Sequence, residues 1–173
     1  EEMRAGQVFM PMHWGNRYMS GLGVNALTTN EYDPLSKQPE LKHAAVQVEK
    51  LALPWQMVAM RKGDALNRMS RLQPLLKHFD YASIGLFGRD EELVILRTAH
   101  ASPVADEILA EIDATLGLDD ANEVMNYRDA KRGISKRALM EEGRLLAVRL
   151  TGETVARDWL KEIIAQGSDA QSL

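Results

Sequence analysis

The chain changes character at Leu53, and that change restricts what it can fold into more than any other feature. Before it, Gly6, Pro11, Gly15, Gly21, Gly23, Asn25, Asn30, Asp33-Pro34 and Pro39 follow one another too closely for a long helix. Only Gln7 to Met12 and Ala44 to Val48 read as strands there. Two short strands joined by a long loop bury no core. This opening segment must therefore pack on the rest of the chain or belong to something larger.

After Leu53, strand-like and helix-like windows alternate. Trp55 to Met60 reads as a strand, and Gly63-Asp64 offers an N-cap for a helix with Leu66, Met69, Leu72, Leu76 and Phe79 on one face, kinked or split by Pro74. Tyr81 to Phe87 and Leu93 to Ala99 form a hairpin about Gly88-Arg89-Asp90. Ser102-Pro103 reads as a cap and first turn for a helix carrying Val104, Ile108, Leu109, Ile112 and Leu116, stopped by Gly117. Strands come next at Glu123 to Tyr127, Ser135 to Met140 and Leu145 to Leu150. A last helix sets Val155, Trp159, Leu160, Ile163 and Ile164 on one side before Gly167. The class is α+β. The first six elements have the βαββαβ order of a ferredoxin-like unit, with two helices on one face of an antiparallel sheet and an added β-β-α. The divisions expected are 1–52, 53–167 and a polar tail 168–173.

Composition narrows the chemistry. No cysteine occurs among the 173 residues, which removes disulfides, thiolate-bound clusters and cysteine nucleophiles from this stretch. A net charge of −4 gives no reason to expect nucleic acid. No apolar run reaches the roughly 20 residues a membrane span needs. The start Glu1-Glu2-Met3-Arg4 lacks an apolar signal region, so the cytoplasm is the expected compartment.

His13, His43, His78 and His100 lie too far apart for helical metal-ligand spacing, so no metal site is expected. The pairs Glu91-Glu92, Asp119-Asp120 and Glu141-Glu142 fall at predicted turns and read as solvated charge. Arg128, Lys131, Arg132, Lys136 and Arg137 are a local basic excess interrupted by Asp129. The plain reading is the wet face of a hairpin; the functional one is a docking patch for an acidic partner, with Arg128, Arg132, Lys136 and Arg137 as its residues. In the opening segment, amide, hydroxyl and ammonium groups cluster between two strands. They could line a large anionic, heteroatom-rich ligand or simply form a surface loop.

The strings Gly6-Gln7-Val8-Phe9-Met10-Pro11-Met12-His13-Trp14-Gly15, Asn25-Ala26-Leu27-Thr28 and Asp33-Pro34-Leu35-Ser36-Lys37-Gln38-Pro39-Glu40-Leu41-Lys42 resemble the closing part of the molybdopterin-dinucleotide-binding domain of bacterial molybdenum oxidoreductases. The Pro-Met-His-Trp string is most similar to assimilatory nitrate reductase catalytic subunits. The stretch from Tyr127-Arg128-Asp129 through Arg144 to Gly152 resembles a weakly patterned module of nitrate- and nitrite-assimilating reductases.

The resemblance implies a double-psi β-barrel of which 1–52 is a part, closing over bis(molybdopterin guanine dinucleotide). His13, Trp14, Asn25 and Lys42 fall on cofactor-contacting positions, and molybdenum and iron–sulfur centres belong to the parent protein. It implies reduction of nitrate to nitrite by that parent, with no catalysis by this stretch alone. Partners are then the rest of the reductase and an electron donor such as ferredoxin, flavodoxin or a reductase subunit. The alternatives for 53–167 are an independent docking module and a stability cap.

Overall fold

A computed structural model of the chain describes residues 3–13, 15–39, 43–89, 92–119 and 124–168. Trp14, Lys42, Asp90 of the hairpin turn, Glu123 and the tail beyond Ser168 lie outside the described residues.

The regular unit runs through β1 (Trp55–Lys62), α1 (Ala65–Leu72), a 3-10 turn (Gln73–His78), β2 (Tyr81–Phe87), β3 (Leu93–His100), α2 (Asp106–Leu116), β4 (Val124–Asp129), β5 (Ile134–Glu141), β6 (Arg144–Thr151) and α3 (Arg157–Gln166). The strands form one six-stranded sheet in the order β2-β3-β1-β6-β5-β4, and every pairing is antiparallel. A ferredoxin-like order of the first six elements would set β4 beside β1; β6 stands there instead and β4 takes the far edge. The reason lies in the residues. β6 is buried along most of its length, whereas Met125, Asn126, Tyr127 and Arg128 of β4 are exposed and suit an edge.

Period-two alternation builds two cores on opposite faces. Trp55, Met57 and Ala59 of β1 join Val94 and Leu96 of β3 beneath α1, the 3-10 turn and α2. Val58 and Met60, with Leu93, Ile95, Val148 and Leu150, pack under Ile163 and Ile164 of α3. Each fully buried aliphatic side chain here stabilises by about 1.5–3 kcal/mol. A bulge at Leu146, where Leu139 pairs with Ala147 but Met140 pairs with Leu145, turns Leu145 onto the α3 face.

Pro74 ends α1 at Leu72 and the chain continues as 3-10, which keeps Leu75, Leu76 and Phe79 in the core; Phe79 stacks on Trp55 with ring centroids 6.2 Å apart. Leu66, expected on the apolar face, is exposed. Ser102-Pro103 does not cap α2. The helix begins at Asp106 after an extended Ala105, and Val104 packs into the core from outside the helix. Val155 and Trp159 are likewise exposed, because α3 starts only at Arg157 and turns Ile163 and Ile164 inward.

Cations close the helix ends. Nη1 of Arg61 and of Arg68 donate to the carbonyls of Leu116 and Thr115 at 3.3 and 2.5 Å, and Nζ of Lys62 donates to that of Ala165 at 3.4 Å. These satisfy carbonyls that a helix C-terminus leaves without partners.

The strands expected at Gln7 to Met12 and Ala44 to Val48 do not form. An isolated extended stretch has no ladder to complete, and none is offered to it among the described residues.

Candidate functional site

Among the described residues, the opening segment is held to the sheet around Tyr18 to Ser20. The Ser20 amide donates to the Ala82 carbonyl at 2.8 Å, the Ile84 amide to the Tyr18 carbonyl at 2.7 Å, and the Ala82 amide to Ser20 Oγ at 2.7 Å. Met19 thus bridges Ser83 along the outer edge of β2, and Gln73 Nε2 donates to the Arg17 carbonyl at 2.7 Å. Strand addition of this kind covers an edge that would otherwise present unpaired groups.

Beyond that tether the segment is open. Asn25 opens toward solvent from a 3-10 turn over Val24–Leu27, and its side-chain amide makes no hydrogen bond among the described residues. His13 is exposed in a turn. Val8, Phe9, Met10 and Met12 are exposed as well, Phe9 at 78%.

Part of the polar loop has an internal role. Asp33 Oδ1 accepts the amides of Leu35 and Ser36 at 3.0 and 2.6 Å, and Lys37 lies over the Tyr32 ring at 5.3 Å. The Ser36 hydrogen bonds, chiefly that of its amide, hold the Asp33 carboxyl below its usual pKa.

The basic residues do not share one face. Cross-strand register sets Lys136 opposite Tyr127, with Met125 and Ala138 on the α3 side, while Arg128 and Arg137 line a cleft under α2. Lys136 pairs with Glu153, whose carboxyl its ammonium holds below the usual pKa. Arg137 donates to the Leu118 carbonyl at 2.9 Å and lies 3.0 Å from Asp113. Arg132 stands in the β4–β5 turn, its amide on Asp129 Oδ1 at 3.1 Å.

Buried beneath the cleft, Asp113 accepts Nε and Nη2 of Arg149 at 2.6 and 2.9 Å. Neither residue was singled out from the sequence. Asp113 falls four residues after Leu109 and three before Leu116, on the apolar stripe of its helix, and Arg149 interrupts an apolar strand; a charge in each such place calls for a buried partner. Among the described residues, no group of three His, Asp or Glu could hold a metal ion, and no helix is long and apolar enough to cross a membrane.

Residues 1–45 match the family described as "Molydopterin dinucleotide binding domain". A nitrate reductase of Synechocystis sp. (strain ATCC 27184 / PCC 6803 / Kazusa) is 54% identical over 43 residues, 25% of this chain and 6% of that protein. A nitrate reductase of Klebsiella oxytoca is 34% identical over 76 residues, 44% of this chain and 8% of that protein. This chain resembles the C-terminal part of a molybdopterin nitrate reductase. The matched stretches span under a tenth of the length of these reductases. The 76-residue Klebsiella match is longer than residues 1–52, so the likeness to that reductase reaches into the sheet unit. No solved structure matches the chain.

Of the four expected cofactor contacts of this reductase-like chain, the structure describes His13 and Asn25. Ser20, like Asp113 and Arg149 not marked out by the sequence, ties the opening segment to the sheet. Its cue in the sequence is slight, a serine beside Gly21 and close to Gly23.

Proposed function

We propose that the chain is a C-terminal segment of a molybdenum-dependent nitrate reductase, with residues 1–52 contributing to the cofactor-binding domain and residues 53–167 forming an accessory α+β domain. The observation that carries the reading is the match of residues 1–45 to the dinucleotide-binding family, together with 54% identity over 43 residues to a nitrate reductase.

The residues suit the group. An exposed, unengaged Asn25 amide can both donate to and accept from a pterin edge, and the His13 imidazole adds a planar hydrogen-bonding surface beside it in sequence with Met10 and Met12. On this reading Trp14 and Lys42 join them, the lysine adding positive charge for an anionic cofactor, and the exposed apolar residues of the segment meet the remainder of a double-psi barrel in the parent. The cofactor, bis(molybdopterin guanine dinucleotide) with molybdenum, supplies two-electron chemistry converting nitrate to nitrite in the parent, with iron–sulfur centres delivering the electrons. This chain's residues bind and orient its organic end. The parent works in the cytoplasm, where nitrate is assimilated.

The test uses the full parent polypeptide. Asn25→Leu and Lys42→Gln are expected to lower molybdenum and releasable guanine nucleotide per polypeptide together with nitrate turnover, while α-helix and β-sheet content stays unchanged. A parent that holds no molybdenum in the unsubstituted form overturns the reading.

A second reading concerns 53–167. The β4–β5 hairpin is exposed at Arg128 and Arg132 on an open sheet edge, which favours docking of an acidic electron donor such as ferredoxin or flavodoxin. Charge reversal at Arg128 and Arg132 is then expected to weaken the salt dependence of donor association; an unchanged dependence refutes it.

A further inference from the structure

The cleft between the start of α2 and the sheet at β4–β6 measures about 440 Å³. Its charges are unequally arranged. At the floor one carboxylate, Asp113, serves two guanidiniums, Arg149 and Arg137. One positive charge is left over, in a place where Arg149 is only 3% exposed. Nη1 of Arg149 and Nε of Arg137 are buried and have no acceptor among the described residues. Buried donors without acceptors are rare in stable proteins and mark places where a further group belongs.

Three more charged groups face the cleft: Arg128 from β4, Asp106 at the start of α2, and Asp129, whose Oδ1 is engaged by the Arg132 amide. Val104, Leu109 and Ile134 give the cleft an apolar lining beside the polar Asn126, Ser135 and Thr151. A water occupies about 30 Å³ of liquid, so a bare inorganic oxyanion would fill only a small part of this space.

We propose that the cleft binds a small organic carboxylate. Its carboxylate meets the two donors left without acceptors, Nη1 of Arg149 and Nε of Arg137, since Asp113 already fills the Nε/Nη2 fork of Arg149, and its aliphatic part lies along Val104, Leu109 and Ile134. Arg128 at the rim draws the anion in. The site is separate from the cofactor-contacting segment and does not depend on the nitrate reductase reading.

Calorimetric titration of the full chain with sodium succinate, against sodium nitrate and sodium chloride at matched ionic strength, tests this. The expected result is saturable binding of succinate, with the Nε–Hε NMR signals of Arg137 and Arg149 shifting along the same isotherm. Arg137→Gln should weaken it about tenfold or more, the loss of a charge-assisted hydrogen bond. Arg128→Gln, at an exposed position, should weaken it by a smaller factor, and Arg157→Gln on α3 should leave it unchanged. Absence of saturable succinate binding overturns the proposal. So does equal binding of nitrate or chloride, which would make the site one for any anion, and so does unchanged affinity in both Arg137→Gln and Arg128→Gln.

Discussion

Replacing Asp113 by Ala tests the electrostatic reasoning most severely. The substitution removes the acceptor of hydrogen bonds from Arg149 at 2.6 and 2.9 Å and the partner of Arg137 at 3.0 Å. Hydrogen bonds to charged groups contribute about 1.5–3 kcal/mol each, but the three share one carboxylate and do not add. The larger effect is what remains: an Arg149 guanidinium at 3% exposure beside a second cation. Removing one partner of a buried pair costs about 3–5 kcal/mol, and it is Arg149 that sets this cost, because Arg137 is 31% exposed and keeps the Leu118 carbonyl. Against a typical domain stability of about 5–15 kcal/mol, that leaves a marginal fold, with a melting temperature lower by about 10–20 °C. Urea unfolding followed by far-ultraviolet circular dichroism measures it. The paired change Asp113→Leu with Arg149→Met should restore stability to within about 1–2 kcal/mol, since apolar replacement of a whole buried pair is often neutral. A loss below about 1 kcal/mol in Asp113→Ala would refute the argument, because it would mean that the arginines need no buried counter-charge.

Other outcomes rest on single contacts. Gly152 has φ +78° and an added Cβ would stand 2.4 Å from the Gly133 carbonyl oxygen, so Gly152→Ala should cost at least about 2 kcal/mol, while Gly85→Ala, with open space around it, should change stability by no more than about 0.5 kcal/mol. Equal urea midpoints for the two variants would contradict this. Ser20→Ala removes the acceptor of the Ala82 amide, and hydrogen exchange there should speed up about fivefold, corresponding to about 1 kcal/mol; an unchanged rate would mean that the tether is not held in solution. The Glu153 carboxyl is held below its ordinary value by its hydrogen bond to Lys136, so the stability it lends is present above that ordinary value and lost as pH falls through the lowered one. The difference in urea midpoint between the unsubstituted chain and Lys136→Gln should accordingly exist at neutral pH and vanish in acid; a difference that persists well below the carboxylate range counts against the pairing.

How much of this could be read beforehand varies from element to element. The strands Tyr81–Phe87 and Leu93–His100 were evident because β-rich runs flank a glycine turn, and Gly117 and Gly167 did end their helices, at φ +66° and +63°. The start of α2 was not evident. Ser102-Pro103 is a good local cap, but burying Val104 held the chain extended as far as Ala105. Trp159 fits an apolar helical stripe in sequence, yet packing gave the inward positions to Ile163 and Ile164. The basic run looked like one patch because neighbours in a strand are close in sequence, whereas the pleat sends Lys136 and Arg137 to opposite faces.

The sequence by itself determined the order and kind of the elements after Leu53, the break in character there and the likeness of the opening segment to a molybdopterin-dinucleotide-binding domain. These depend on periodicity, turn residues and short motifs, all of which are local. Only the tertiary structure decided that β6 rather than β4 lies beside β1, that Ser20 fastens the opening segment to the edge of β2, and that Asp113, Arg137 and Arg149 share one cleft. Asp113 and Arg149 stand 36 residues apart. Contacts of that range form when competing strands are sorted by how much apolar surface each can bury, and that comparison is made across the whole sheet at once.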